Sequence, residues 1–194
     1  NARIQSMDEE GLHFSWEQEL SGADARRALP VTLLVAQVRP ICMKRILRDA
    51  AMMGVTHLIV TGADTAEKSY QGAGLWRDAE YVKYLWDGAM QAAATSFPEF
   101  TLVSSVDEAL RQLPADQSCF LLDNKLPSAL FSQGGHLDGP AVIAIGPERG
   151  WSDRERAQFL SHGFSCFSLG ARVLRTETAC VAALSQIAQR MGLM

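Results

Sequence analysis

Ile145-Gly146-Pro147-Glu148-Arg149-Gly150-Trp151 and Leu169-Gly170-Ala171-Arg172-Val173-Leu174-Arg175-Thr176-Glu177-Thr178-Ala179 are the two stretches from which the fold of this chain is read. Each starts where a short apolar run stops and ends where a helix signal begins. Ala141–Ile145 leads into the first, and Ser152-Asp153-Arg154-Glu155 follows it with the Ser-x-x-Glu spacing of a helix capping box. Phe164–Leu169 leads into the second, and Thr178–Met191 follows as a helix. Strand, tight loop and helix, repeated in succession, is the pattern of a parallel α/β sheet and not of hairpins.

The same alternation extends upstream. Val31–Gln37 is a β-branched and aliphatic run suited to a strand buried on both faces. Met43–Met53 has helical spacing and is stopped by Gly54. Thr56–Thr61 reads as a strand, followed by a polar loop through Gly74, and Trp76–Thr95 reads as one long helix. Ser105-Val106-Asp107-Glu108 is a second capping box, opening a helix that ends near Pro114, and Cys119–Leu122 is a short buried strand. Residues 31–194 therefore form one α/β domain. Residues 1–20 read differently: Ala2–Met7 and Leu12–Trp16 flank Asp8-Glu9-Glu10-Gly11 as a hairpin, expected to be the remnant of an N-terminal β domain. Residues 21–30 read as a linker.

Composition excludes several classes. With 47% hydrophobic and 21% charged residues the chain is too apolar for disorder. No apolar run approaches the ~20 residues needed to cross a bilayer, so no membrane partner is expected. The cysteines Cys42, Cys119, Cys166 and Cys180 lack C-x-x-C spacing and read as thiols of a reducing cytoplasm, with no metal. His162 and Cys166 have no further ligands at zinc-like spacing. The net charge of −4 gives no general basic surface for nucleic acid. A dinucleotide-dependent dehydrogenase suits the fold class, but no strand is followed by G-x-G-x-x-G, and Gly72-Ala73-Gly74 alone does not supply it.

In open α/β sheets ligands collect beyond the carboxyl ends of the strands, where both quoted loops fall. Gly146 and Gly150 relax the limits on the first loop, Pro147 stiffens it, and Glu148 lies near a helix N-terminus that favours a carboxylate. In the second loop the helix start offers free N–H groups, and Arg175 adds a fixed cation. Read singly, the first loop is equally a plain strand-to-helix connection, and the second is slightly better read as an Arg175–Glu177 ion pair capping a helix.

Together, the run Ile-Gly-Pro-Glu-x-Gly, a capped helix and Leu-Gly-x-Arg-Val-Leu-Arg-Thr-Glu-Thr-Ala resemble the signature of the ribosomal RNA small-subunit methyltransferase E family. The resemblance covers Val31 to the last residue. It implies a SPOUT-type, mostly parallel sheet whose C-terminal part threads a trefoil knot, an exception to the rule against knotted chains. It implies S-adenosylmethionine as cofactor, a homodimer, and RNA as partner, with methylation of N3 of a small-subunit rRNA uridine as the activity. Leu122, Ile145, Gly146, Pro147, Glu148, Leu169, Gly170, Val173 and Leu174 are expected to line the cofactor site. Arg175, Thr176 and Glu177 are expected to face methyl transfer. The hairpin resembles the tail of that family's PUA-like domain.

The chain departs from the family pattern at several places. Arg149 stands where the first loop normally has glycine. Met90-Gln91-Ala92-Ala93-Ala94 replaces Glu-Gln-Ser/Cys-Gly-Arg, an element expected to meet RNA, and Asp49 with Met52-Met53-Gly54 replaces a lysine and Glu-Leu-Gly. These departures keep two alternatives open: a non-catalytic RNA-binding or assembly factor, and a methyltransferase of another RNA site. Trp76, Tyr81, Tyr84 and Trp86 are expected in core or dimer packing, and Lys68-Ser69-Tyr70 in a polar loop that is equally a lid over the site or plain mobile surface.

Overall fold

The computed structural model describes residues 2–9, 11–16, 28–126 and 129–194. Most of the expected linker, residues 21–27, lies outside them. Strands β1 (Ala2–Asp8) and β2 (Gly11–Trp16) pair antiparallel, as the alternating pattern requires.

The remaining strands build one six-stranded sheet, all parallel, in the order β5-β4-β3-β7-β6-β8. They are β3 (Leu29–Ala36), β4 (Val55–Thr61), β5 (Glu99–Val103), β6 (Ser118–Leu122), β7 (Ala141–Ile145) and β8 (Ser165–Phe167). β3 and β7 occupy the centre, which explains their unbroken apolar runs. Val31, Leu33, Val35, Ala141, Ile143 and Ile145 face one core. Leu34, Ala36, Val142 and Ala144 face the other. α1 (Pro40–Met52), α3 (Tyr81–Gln91) and α6 (Thr176–Arg190) cover the first face, while α4 (Val106–Arg111) and α5 (Asp153–Ser161) cover the second.

Helix ends follow local chemistry. Gly54 (φ +77°) and Gly163 (φ +80°) terminate α1 and α5 in the left-handed conformation that glycine adopts without strain. Ser152 and Glu155 form both halves of the capping box on α5. At α4 only half forms: Ser105 accepts from the Glu108 N–H, but the Glu108 carboxylate turns to the Ser104 N–H and hydroxyl, both at 2.8 Å.

Three sequence expectations are corrected. The long helix over 76–95 is two helices, α2 (Gly74–Arg77) and α3, broken at Ala79 (φ +52°) and finished at Gln91. In a continuous helix Trp76 and Tyr81 would lie about 140° apart. The break lets both rings stack on Phe100, with centroids 5.9 and 4.3 Å away. Phe100 belongs to β5, which the sequence reading passed over because this edge strand alternates weakly and follows Pro98. The central strand begins at Leu29 and ends before Gln37, and β8 is limited to Ser165–Phe167.

Among the described residues no helix is long and apolar enough to cross a membrane, and no cluster of His, Cys, Asp and Glu is placed to hold a metal. All the cysteines are free, and burial pushes the Cys180 thiol far above its ordinary value.

Candidate active site

The chain order reverses between β3 and β7: β4 and β5 extend the sheet to one side, then the chain crosses over to build the other. Such a switch point opens a crevice at the strands' carboxyl ends. Leu122, Ile145 and Phe167 lie in one row there, because Leu122 pairs with both of the others. Beyond this row is a cleft of about 220 Å³.

Every residue expected on the cofactor side lines this cleft. Leu122, Ile145, Leu169, Val173 and Leu174 supply apolar wall, and Gly146, Pro147, Glu148 and Gly170 supply backbone. Of the residues expected at the reaction, Thr176 lines the cleft, while Arg175 and Glu177 flank it as its neighbours at the start of α6. The Thr176 hydroxyl donates to the Gly146 carbonyl oxygen at 3.1 Å, tying the two motif loops together.

The first loop is a tight turn. The Gly150 N–H donates to the Pro147 carbonyl at 2.8 Å, and Gly150 has φ +70°. A Cβ on Gly146 would come within 3.2 Å of Trp151, so glycine permits the indole's close packing beneath the loop. Arg149 is free of left-handed backbone, and its side chain is 75% exposed, 3.9 Å from Glu67. Glu148 serves a different helix from the one expected: its Oε1 accepts from the backbone N–H of Arg39, the N-cap of α1, at 3.3 Å.

The Arg175–Glu177 ion pair is not formed. Glu177, with a side chain only 11% exposed, lies 3.7 Å from Arg45. The neighbouring Cys42 thiol is pushed up, first by burial and then by the Glu177 carboxylate. Arg39 is held above its ordinary value, first by a hydrogen bond with Tyr70 and then by the charges of Tyr70 and Glu148. Lys68-Ser69-Tyr70 forms a short 3-10 turn beside α1, held by the Trp76 indole N–H donating to the Tyr70 carbonyl at 3.0 Å. The cleft lining carries Lys125, Arg149 and Arg172, and among the described residues Lys125, Arg172 and Arg175 have no ion-pair partner. An acidic chain thus has a cationic rim at its carboxyl-end cleft.

Sequence reading missed the structure behind this rim. Glu155 is buried and accepts from the Asp64 N–H at 2.8 Å and the Ser152 N–H at 2.7 Å. Asp64 in turn receives Arg154 and the Ser152 hydroxyl. These bonds hold Asp64 below the ordinary carboxylate range, Arg154 contributing most. The Thr65 hydroxyl donates to the Gly150 carbonyl at 2.5 Å. Asp123, in the lining of the cleft, forms a buried pair with Arg156 behind it. The only sequence signal was charge density in the first turn of α5, and the capping box accounts for just part of it.

Apart from Arg149, in the cleft, and Asp49, the departures from the family pattern meet elsewhere. Met52, Met53, Gly54, Ala92 and Ala94 line a second cavity of about 320 Å³ with Phe97, at the amino ends of β4 and β5. This cavity is larger than the cleft but has no charged side chain in its lining, and it lies at the opposite end of the sheet.

Comparisons with known proteins bear on the family and the fold. The family model described as RNA methyltransferase domain matches residues 25–188. The ribosomal RNA small subunit methyltransferase E 1 of Borreliella burgdorferi is 30% identical over 155 residues, 78% of this chain and 63% of that protein. The ribosomal RNA small subunit methyltransferase E of Treponema pallidum is 33% identical over 163 residues, 81% of this chain and 61% of that protein. The chain thus spans less than two thirds of the length of these relatives. The fold matches the crystal structure of a ribosomal RNA small subunit methyltransferase E from Neisseria gonorrhoeae bound to S-adenosyl methionine, with TM-score 0.80 and 23% identity over 97% of this chain and 77% of that one.

Proposed function

This chain belongs to the RNA methyltransferase domain family, and on that premise we propose that it methylates ribosomal RNA with S-adenosylmethionine, at N3 of a uridine in the small subunit. The observation that carries this reading is the cleft in which both motif loops meet under a cationic rim. The residues fit the cofactor. Apolar walls from Leu122, Ile145, Leu169 and Leu174 suit an adenine ring, and a Cβ on Gly170 would project into open space. Bound there, S-adenosylmethionine would supply an activated methyl group. The protein's part is to align the acceptor base and to manage one proton.

Arg175 and Glu177 are the residues for that task. A uridine N3–H is weakly acidic, and a fixed cation at Arg175 stabilises the anion left when its proton departs. The Glu177 carboxylate, or a water beside it, accepts that proton. Lys125, Arg149 and Arg172 offer charge to the RNA backbone, which resolves the conflict between an acidic chain and a nucleic-acid substrate. The same reading places the protein in the cytoplasm.

A homodimer and a trefoil knot belong to this proposal. Ile41 on α1 and Val181 on α6 are exposed at 62% and 37%, and Leu174 at the mouth of the cleft at 37%. Exposed apolar side chains on α1, on α6 and at the mouth of the cleft suit a second copy that completes the site. Insertion of β7 between β3 and β6, with α6 returning over β7, supports the knot. Ile4, Met7 and Leu12 on the hairpin are exposed, as the edge of a further β domain would be.

The test is methyl transfer from labelled S-adenosylmethionine to small ribosomal subunits lacking the modification, with the product nucleoside identified by mass spectrometry. The expected product is 3-methyluridine, and Arg175→Ala should lower the rate by about a hundredfold or more. Full activity in Arg175→Ala would remove the assigned role. No transfer to any RNA by a protein that binds the cofactor would favour the non-catalytic alternative.

A further inference from the structure

The first turn of α5 reads Asp153-Arg154-Glu155-Arg156, and two of these charged residues are buried. Glu155 is explained by the capping box. Helix formation gives no reason to bury Arg156, since desolvating a guanidinium costs several kcal/mol unless it is well paired. Its partner is Asp123, the residue that follows β6, with Arg156 Nε donating to Asp123 Oδ2 at 2.9 Å and the two side chains 4% and 2% exposed. Nη1 donates to Asp153 Oδ1 at 2.8 Å. Nη2, on the same edge as Nε, is buried without a hydrogen-bond partner on the side of the first motif loop, where a Cβ added to Gly150 would lie 3.5 Å from it.

Asp123 is itself a fixed point. Its Oδ1 accepts the Lys125 N–H at 2.6 Å, closing the turn that brings Lys125 to the rim. Its own N–H donates to the Phe167 carbonyl at 3.0 Å. One guanidinium therefore ties the 122–125 wall of the cleft to the first turn of α5, into which the 147–150 wall runs directly, and neither wall has strand pairing beyond Leu122 and Ile145.

We propose that Arg156 is a positioning residue for the cofactor pocket, setting the separation of the 122–125 and 147–150 walls through Asp123 on one side and the first turn of α5, which continues the 147–150 wall, on the other. It rests on the reading that the cleft takes S-adenosylmethionine. A site must be held by supporting side chains that do not themselves touch the ligand, and Arg156 is absent from the cleft lining. A purely structural ion pair behaves differently. Replacing both members of a buried pair with apolar residues is often neutral for stability, whereas removing one partner strands a charge. The apolar double replacement here also deletes the acceptor for the Lys125 N–H, so stability and pocket geometry come apart.

The experiment compares the full chain with Arg156→Met, Arg156→Lys and the double variant Asp123→Leu/Arg156→Met. Each is followed by thermal unfolding, by calorimetric titration with S-adenosylmethionine, and by amide hydrogen exchange without ligand. Arg156→Met should lower Tm and weaken binding at least tenfold. The double variant should regain most of the lost Tm, stay at least tenfold weakened, and exchange faster at both 122–126 and 146–151. Arg156→Lys should recover part of the affinity, because a lysine reaches Asp123 with one donor but lacks the planar fork. Wild-type affinity in the double variant, or unchanged exchange in either wall, overturns the proposal. If the wild-type protein binds no S-adenosylmethionine, the cofactor reading fails, and the exchange comparison still decides whether Arg156 couples the walls.

Discussion

The hydroxyl of Thr176 reaches across thirty residues of sequence to donate to the carbonyl of Gly146 at 3.1 Å. A helix start and a strand-end loop are thereby fastened at the floor of the cleft, where Thr176 is buried. Thr176→Val keeps the shape and removes the donor. It should cost about 1–3 kcal/mol, because the Gly146 carbonyl is left without that partner. A urea titration checks this: the midpoint should fall with the slope unchanged.

Gly88 marks where α3 crosses α1. A Cβ there would lie 2.2 Å from the Arg48 carbonyl oxygen and 2.9 Å from Ala51 Cβ. Gly88→Ala should gain up to ~1 kcal/mol of helix propensity, but overpacking costs about 1–3 kcal/mol or more, and here the obstacle is backbone. The net outcome is destabilisation. Each kcal/mol should lower Tm by about 2–4 °C in a domain of this size, read by calorimetry.

Asp64 predicts an acid limb. In the unfolded chain it titrates near ~3.9, and in the folded protein lower, because Arg154 and Ser152 hydrogen-bond the carboxylate. As pH falls the unfolded state takes up the proton first. The stabilisation is therefore complete above the unfolded value and lost as pH falls through the folded one. Asp64→Asn should flatten the fall of Tm between about pH 5 and about pH 2. An unchanged acid limb would show that Asp64 is not the group responsible.

The cationic rim predicts salt-dependent RNA binding. Lys125→Glu and Arg172→Glu should each weaken binding of a single-stranded RNA fragment. Each should also reduce the slope of log affinity against log salt by about 0.7 for every phosphate that is no longer neutralised. Filter binding over a range of salt measures both, and wild-type slopes in both variants would put the RNA elsewhere.

Much of this was legible in the sequence. β3 and β7 were readable because both faces are buried and the residues stay apolar, and the two loops were readable because glycine, proline and arginine fall at strand ends. Features set by tertiary packing were not readable. β5 is an edge strand whose Phe100 gains its meaning only under Trp76 and Tyr81. Ala79 breaks a helix without any breaker residue, because the rings on either side are drawn to the same partner. Arg156 and Asp123 lie 33 positions apart, and nothing in their spacing announces a bond. Nothing in the sequence around Gly88 shows that α1 packs against its Cα.

The bond from the Thr65 hydroxyl to the Gly150 carbonyl joins two loops that lie 85 residues apart in sequence. Gly150 lies in the wall of the cleft, and Thr65 in the loop that leads to Lys68 and Tyr70 beside Arg39. One hydrogen bond thus makes the inner turn and the outer loop a single mechanical unit: a change in the position of either is felt by the other.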